Sequence, residues 1–264
     1  MLLENKVAVV TGGAGRLGRV IAATLRREGA RVVLADRDGD KMRQVLASLE
    51  GHGGLDGYAG VEGDVSDAAD VERMMGEAEA KAGAVDVLVN AHGVFPNCPI
   101  LEMTVEEWDR PFVINVRGSM LTCQYFARRW VERSTPGAIV NVSSGASRSA
   151  RAGGSHYTGS KAALNMLTEV LAIELGPHGI RVNGVAPGLI LDDVVTSETE
   201  NQHPYVNLML RGTPLRRTGR AEDVADAIAF LASDRSPWTT GALLEITGGS
   251  HCGRTHVPLT RDMR

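Results

Sequence analysis

The chain has 264 residues, 43% of them apolar, and a net charge of −4, which suits one large α/β domain with a substantial core and leaves too little chain for a comfortable second one. A slightly acidic balance offers no electrostatic footing for nucleic acid or an anionic membrane surface, and no apolar run approaches the about 20 residues needed to span a bilayer. Small molecules are the expected partners.

Taken in chain order, short apolar strand candidates fall at 7–10, 32–35, 58–61, 87–89, 138–142, 181–185 and 243–246. Between them lie 16–28, 39–49, 68–82, 105–133, 155–175 and 222–231, where apolar residues recur at helical intervals of three and four. This alternation predicts a doubly wound parallel sheet with helices on both faces, one domain over 1–264, and ligands beyond the carboxyl ends of the strands. No repeat or linker divides the chain. Cys98, Cys123 and Cys252 are widely separated and lack paired spacing, so a reducing compartment is expected rather than a disulfide framework. The start of the chain runs directly into the first strand without a basic leader or apolar signal segment, and a cytoplasmic location is expected.

Directly after the first strand comes TGGAGRLG, spanning 11–18. A tight strand-to-helix turn of this kind lets backbone N–H groups and a helix N-terminus approach a pyrophosphate, as in Rossmann dinucleotide sites. Gly13, Gly15 and Gly18 fit G-x-G-x-x-G, and the expected cofactor contacts here are Gly12, Gly15, Arg16, Leu17 and Gly18. Asp36 closes the second strand, where a carboxylate accepts hydrogen bonds from ribose hydroxyls and repels a 2′-phosphate. NAD is therefore favoured, while Arg37 and Arg16 leave NADP open.

The most informative stretch is NVSSGASRSARAGGSHYTGSKAAL. Tyr157 and Lys161 are four apart in a helical pattern, so both side chains leave one face of one helix. Lys161 is one of only four lysines, with Lys6, Lys41 and Lys81. An ammonium near a phenol favours the phenolate and brings a group that titrates near ~10 within reach of acid–base work nearer neutrality. Ser144 follows the strand at 138–142 and can bond the same substrate oxygen.

A serine with Tyr-x-x-x-Lys thirteen residues later, behind a glycine turn and within alternating strands and helices, resembles the short-chain dehydrogenase/reductase family over nearly the whole chain. The resemblance implies hydride transfer between a nicotinamide cofactor and a carbinol carbon, with Tyr157 as proton donor and acceptor. It makes Ser144 the anchor of the substrate oxygen, Lys161 the partner of the nicotinamide ribose, and Asn115 a fourth catalytic residue that holds a water linking the lysine to solvent. It further implies an adenine-contacting pair at Asp64 and Val65, a cofactor contact at Asn90, and a turn at Pro187 and Gly188 that packs against the nicotinamide, with the Ile190 backbone binding its carboxamide. Tyr157 and Lys161 count among the cofactor contacts as well. A homotetramer or homodimer built through the helices at 105–133 and 155–175 is also implied.

The chain departs from the family at four places. The pattern TG-x-x-x-G-x-G would use Gly12, position 16 and Gly18, yet position 16 is Arg, which can either clamp a phosphate or point to solvent. His92 stands where Asn is usual, either as a substrate contact or as a hydrogen-bonded structural residue. Asp192 and Asp193 occupy the region where a Thr is usual, with Thr196 beyond. The chain continues past the ITGG turn through a tail at 250–264, expected to pack on a neighbouring subunit; His251, Cys252 and His256 lack zinc-site spacing, so no metal is expected.

Substrate choice depends on 94–100, 145–156 and a polar, irregular segment at 189–211, expected to be a mobile lid. Arg148, Arg151 and His156 are candidate anion contacts. A small polar hydroxy compound, such as a sugar, polyol or hydroxy acid, is expected. The rival readings are a reductase of 3-oxoacyl thioesters and a dinucleotide-binding redox sensor without turnover, though a sensor has no need of Asn115, Ser144, Tyr157 and Lys161 together.

Overall fold

A computed structural model describes residues 1–50, 57–196 and 203–253. Seven strands, β1 (Val7–Thr11), β2 (Arg31–Asp36), β3 (Tyr58–Glu62), β4 (Val87–Asn90), β5 (Gly137–Val142), β6 (Ile180–Pro187) and β7 (Leu243–Ile246), form one sheet in the order β3-β2-β1-β4-β5-β6-β7. Every pairing is parallel. All seven predicted strands are present. β1, β4 and β5 are buried along their whole length, the reason they read as unbroken runs of Val, Ile and Ala rather than as alternating patterns.

Because successive strand side chains point to opposite faces, the core divides into two layers. On one face Ala8, Val10, Leu34, Val89 and Val140 meet Ile21 and Leu25 of α1 (Arg16–Arg27) and Val224 and Ile228 of α8 (Ala221–Ala232). Met42 and Val45 of α2 (Gly39–Glu50) join this layer. On the other face Val9, Val33, Leu88 and Ile139 meet Met74 and Met75 of α3 (Ala68–Ala82), Phe126 and Trp130 of α5 (Gly118–Arg133), and Ala172 of α6 (Ser155–Leu175). The strand order reverses between β1 and β4, and the crevice beyond their carboxyl ends is where such sheets bind ligands.

Two expectations need correction. The single helix over 105–133 is divided into α4 (Val105–Pro111), a π-helical turn (Phe112–Arg117) and α5. Pro111 supplies no N–H and crowds the preceding turn, so the backbone widens there while the apolar spacing continues undisturbed. The segment at 189–211 is not irregular throughout. Ile190 and Thr196 bridge to Gly219 and Arg217, and α7 (Pro204–Arg211) begins with Pro204 in its first turn behind a capping His203. Residues 197–202 of that segment and 254–264 of the tail, including His256, lie outside the described residues.

The entry of β5, the strand that ends at the site, is closely packed. Trp130 is 1% exposed and donates from Nε1 to the Val85 carbonyl at 2.6 Å, and a Cβ on Gly137 would lie 2.4 Å from its indole. Gly137→Ala is therefore expected to cost about 1–3 kcal/mol through overpacking and to lower the thermal midpoint by several degrees, read by circular dichroism or calorimetry.

Candidate active site

β1 leads into Gly12, held at φ +65°, and a Cβ there would lie 2.7 Å from the Cα of His92. A Cβ on Gly18 would lie 2.1 Å from the Gly12 carbonyl oxygen, so only glycines let α1 begin so close behind the strand. Gly15 caps α1 without a side chain, and the first turn holds no acidic residue, which leaves the leading N–H groups without a side-chain acceptor. A cradle closed to Cβ atoms and an uncapped helix start fit the pyrophosphate of a dinucleotide. Leu17 is half-buried against the core beneath. Asp36, at the end of β2, accepts from Ala14 N at 3.0 Å and Asp38 N at 3.1 Å, so its carboxylate is fixed beside the turn.

Arg16 is exposed at the first turn of α1. Its Nη2 donates to the Ile190 carbonyl at 2.8 Å and its Nη1 stands 3.5 Å from Asp192, so the side chain crosses to the segment after β6. Arg37 is exposed beside the end of β2. Asp64 and Val65 follow β3. Burial pushes the Asp64 carboxyl upward, but hydrogen bonds from Ser66 N (2.8 Å) and Oγ (2.7 Å) and the charge of Arg37 outweigh it and hold it below the usual range.

Asn90 is 1% exposed, and its carboxamide is occupied by protein. Its Oδ1 accepts from Thr11 (3.3 Å) and Thr122 (2.8 Å), and its Nδ2 donates to Asn141 at 2.9 Å. Its side chain is thus engaged wholly within the protein. His92 shares hydrogen bonds with Thr11 Oγ1 (2.6 Å at Nδ1) and Ser119 Oγ (3.4 Å at Nε2), the structural alternative of the two open for it. Removal from water and the nearby Lys161 charge push its pKa down to about 3, so the ring is neutral.

At the other side of the crevice, Ser144 follows β5, and its Oγ accepts from Ala146 N at 3.1 Å. Tyr157 and Lys161 project from α6, and the Tyr157 phenol lies close enough to the Ser144 hydroxyl to be influenced by it. Lys161 is 5% exposed, and its Nζ donates to the Val142 carbonyl at 2.7 Å; burial lowers its pKa to about 8. Burial raises the Tyr157 pKa, against the opposing influence of the Ser144 hydroxyl and the charge of Arg151. Asn115 lies in the π-helical turn, buried. Its Oδ1 accepts from Val94 N at 2.9 Å, and its Nδ2 donates to the Val94 carbonyl and to Ser160 Oγ, both at 3.0 Å. A Cβ on Gly93 would lie 3.1 Å from Asn115 Oδ1 and 3.6 Å from Lys161 Nζ, so the missing side chain leaves the two groups facing one small space.

Pro187 ends β6 beside this group, and Gly188 follows it. A Cβ on Gly145 would lie 3.5 Å from the Pro187 carbonyl, and Gly188 N donates to Ile246 O at 2.9 Å. Of the three substrate candidates in 145–156, only Arg151 stands over the phenol, with its guanidinium carbon 5.9 Å from the ring centroid. Arg148 pairs with Glu245 at 3.6 Å instead. His156 is fully buried with both ring nitrogens unpartnered, so its expected contact with substrate is corrected. Tyr205 of α7 was not among the candidates, yet its hydroxyl lies 3.5 Å from Arg151 Nη1. Its only signal was a capped helix start in a segment otherwise read as loop. Among the described residues no group of three or more His, Cys, Asp or Glu could hold a metal, and no helix is long and apolar enough to cross a membrane.

Residues 13–251 match the family described as Enoyl-(Acyl carrier protein) reductase. The (3R)-3-hydroxyacyl-CoA dehydrogenase of Mus musculus is 36% identical over 253 residues, 94% of this chain and 96% of the relative. The L-rhamnose 1-dehydrogenase (NAD(P)(+)) of Azotobacter vinelandii (strain DJ / ATCC BAA-1303) is 38% identical over 251 residues, 94% and 98% of the two chains. A short-chain type dehydrogenase/reductase from Mycobacterium marinum superposes with a TM-score of 0.86 at 32% identity, covering 95% of this chain and 97% of its own. A likeness that runs the length of the sheet at this level of identity means that the chain belongs to the short-chain dehydrogenase/reductase family of NAD(P)-dependent oxidoreductases.

Proposed function

We propose that the protein interconverts a secondary alcohol and a ketone on a small polar hydroxy compound, using NAD in preference to NADP. The observation that carries this reading is the grouping of the Ser144 hydroxyl with the Tyr157 phenol, one helical turn from the buried Lys161. When bound, the nicotinamide takes or gives the hydride. Tyr157 removes the hydroxyl proton in oxidation and returns it in reduction, while Ser144 holds the substrate oxygen. Asn115, which faces the same small space as Lys161, would hold a water that links the lysine to solvent, and the proton leaves by way of Lys161 and that water. Gly12, Gly15, Leu17 and Gly18 receive the pyrophosphate, Asp64 and Val65 the adenine, and Pro187, Gly188 and Ile190 the nicotinamide.

The preference for NAD rests on Asp36, whose two carboxylate oxygens are both held by backbone N–H groups beside the glycine turn, where a 2′-phosphate would meet a fixed negative charge. The sugar substrate in the name of the Azotobacter vinelandii relative supports a polar substrate, and the name of the mouse relative keeps a 3-oxoacyl thioester as the second reading. The segment 189–211, ordered in part by α7, serves as the substrate lid. The three cysteines are free, in keeping with a reducing, cytoplasmic setting.

For assembly, the reading is a dimer or tetramer built on the outer face of α5 and α6. A groove of about 610 Å³ there is lined by Met120, Ala127, Val131, Leu167, Val170 and Leu171. Ile173 on the same helix is 77% exposed, an apolar surface that suits burial against a second copy.

Tyr157→Phe is expected to lower kcat by about 10²–10⁴-fold while dinucleotide affinity stays within a few-fold, measured by nicotinamide absorbance and by calorimetry. Full activity in that variant would overturn the proton-transfer role. Because burial raises the Tyr157 pKa, phenolate is scarce at neutral pH. Accordingly kcat/KM for oxidation is expected to climb with pH through the neutral and mildly alkaline range, while reduction, which uses the protonated phenol, holds level there. The assembly is tested by Val170→Glu with Ile173→Glu, expected to reduce the mass seen by light scattering; an unchanged mass would exclude this face as the interface.

A further inference from the structure

The two arginines in the loop between β5 and α6 have opposite fates. Arg148 is ion-paired with Glu245 of β7. Arg151 has no carboxylate within ion-pair distance among the described residues, and it stands at the mouth of the site, over the Tyr157 ring and next to the Tyr205 hydroxyl. Its position is built by its neighbours. Gly153, at φ +73°, accepts from Cys98 N at 2.9 Å, and a Cβ on it would collide with the Asn97 carboxamide, so the loop is fastened to the chain after β4. Gly154 N donates to the Arg151 carbonyl at 3.2 Å, and a Cβ on Gly154 would lie 2.9 Å from Arg151 Cγ and 3.2 Å from its Nε. The arginine stem therefore lies across a residue that has no side chain to lift it away.

A guanidinium is always charged and offers a planar fork of donors that matches a carboxylate. At this position the fork sits beside the group that handles the carbinol proton, with a phenolic hydroxyl from α7 as a further hydrogen-bonding group. We propose that Arg151 is a specificity residue that binds a carboxylate of the substrate, so that the compounds turned over are short hydroxy acids and the corresponding keto acids. The proposal rests on the dehydrogenase reading above and deepens it. In oxidation the carbinol carbon loses a hydride to the oxidised dinucleotide and its hydroxyl proton to Tyr157. The products are the keto acid and the reduced dinucleotide; the carboxylate is unchanged and serves only as a handle.

The test compares the full-length protein with Arg151→Gln and Arg151→Lys on lactate, glycerate and gluconate, each against its neutral amide, with neutral sugars and a 3-hydroxyacyl thioester alongside. The wild type is expected to favour acid over amide, and Arg151→Gln to lower the acid-to-amide ratio of kcat/KM by about 10- to 100-fold, mostly through KM, with partial recovery in Arg151→Lys. Equal loss on acid and amide would mean a merely structural role and would overturn the proposal, as would a wild-type preference for sugars or for the thioester. Absence of turnover on every alcohol and ketone would sink the dehydrogenase reading instead. In that event calorimetry of the same acids and amides against the dinucleotide-loaded protein still decides the point, since binding that ignores the carboxylate overturns the role of Arg151.

Discussion

Lys161 is buried with its ammonium donating to the carbonyl of Val142, the last residue of β5. An ammonium removed from water costs several kcal/mol unless its donors are satisfied, so α6 cannot turn about its axis or slide along the sheet without orphaning that charge. The same restraint sets the angle of Tyr157, one turn earlier on α6, toward Ser144, two residues beyond Val142 in the chain. Ser160, next to the lysine, donates to the Tyr157 carbonyl at 2.8 Å and accepts from Asn115 at 3.0 Å. The widened turn that carries Asn115 is thus fastened to α6 as well, and one buried cation organises three segments that are far apart in the chain.

A second set of bonds joins the catalytic side of the crevice to the cofactor side. Thr11 at the end of β1, Asn90 at the end of β4, Asn141 in β5 and Thr168 on α6 form a buried ladder, each bonded to the next at 2.9–3.3 Å. His92 lies alongside it, sharing Thr11 and touching Ser119, whose hydroxyl donates to the Asn115 carbonyl at 2.9 Å. Buried polar groups arranged this way are costly when partly satisfied and rigid when fully satisfied. Their effect is to hold the carboxyl ends of neighbouring parallel strands in one register, so the glycine turn that meets the dinucleotide and the helix that bears Tyr157 form one rigid frame.

The frame was legible in the sequence because its signals are local. Strand runs, helical spacing, the glycine turn after β1 and the i, i+4 pair of Tyr157 and Lys161 each occupy a few contiguous residues. What was not legible depends on partners distant in the chain. Nothing in the local pattern says that the Asn90 carboxamide bonds Asn141, that Arg148 finds Glu245 while Arg151 finds no carboxylate among the described residues, or that Lys161 reaches the Val142 carbonyl. The break at Pro111 is not legible because apolar spacing passes through a π-helical turn with little disturbance, and α7 because its eight residues make barely two turns, too short for a helical period to stand out from the surrounding loop.

The arginine at position 16 shows which glycines of the turn are physically required. Position 16 is the first residue of α1, it is exposed, and it does not have a positive φ, so any L-residue fits its backbone. Gly12 differs because its φ is +65°, and Gly18 because a side chain there would meet the Gly12 carbonyl at 2.1 Å. Substituting Arg where the family pattern has glycine therefore leaves the turn intact and adds an outward-reaching cation, which the segment after β6 receives through the Ile190 carbonyl and Asp192. An exposed contact of this kind adds little stability. Its consequence is geometric: the edge of the glycine turn and the start of the 189–211 segment are linked across the crevice by one side chain.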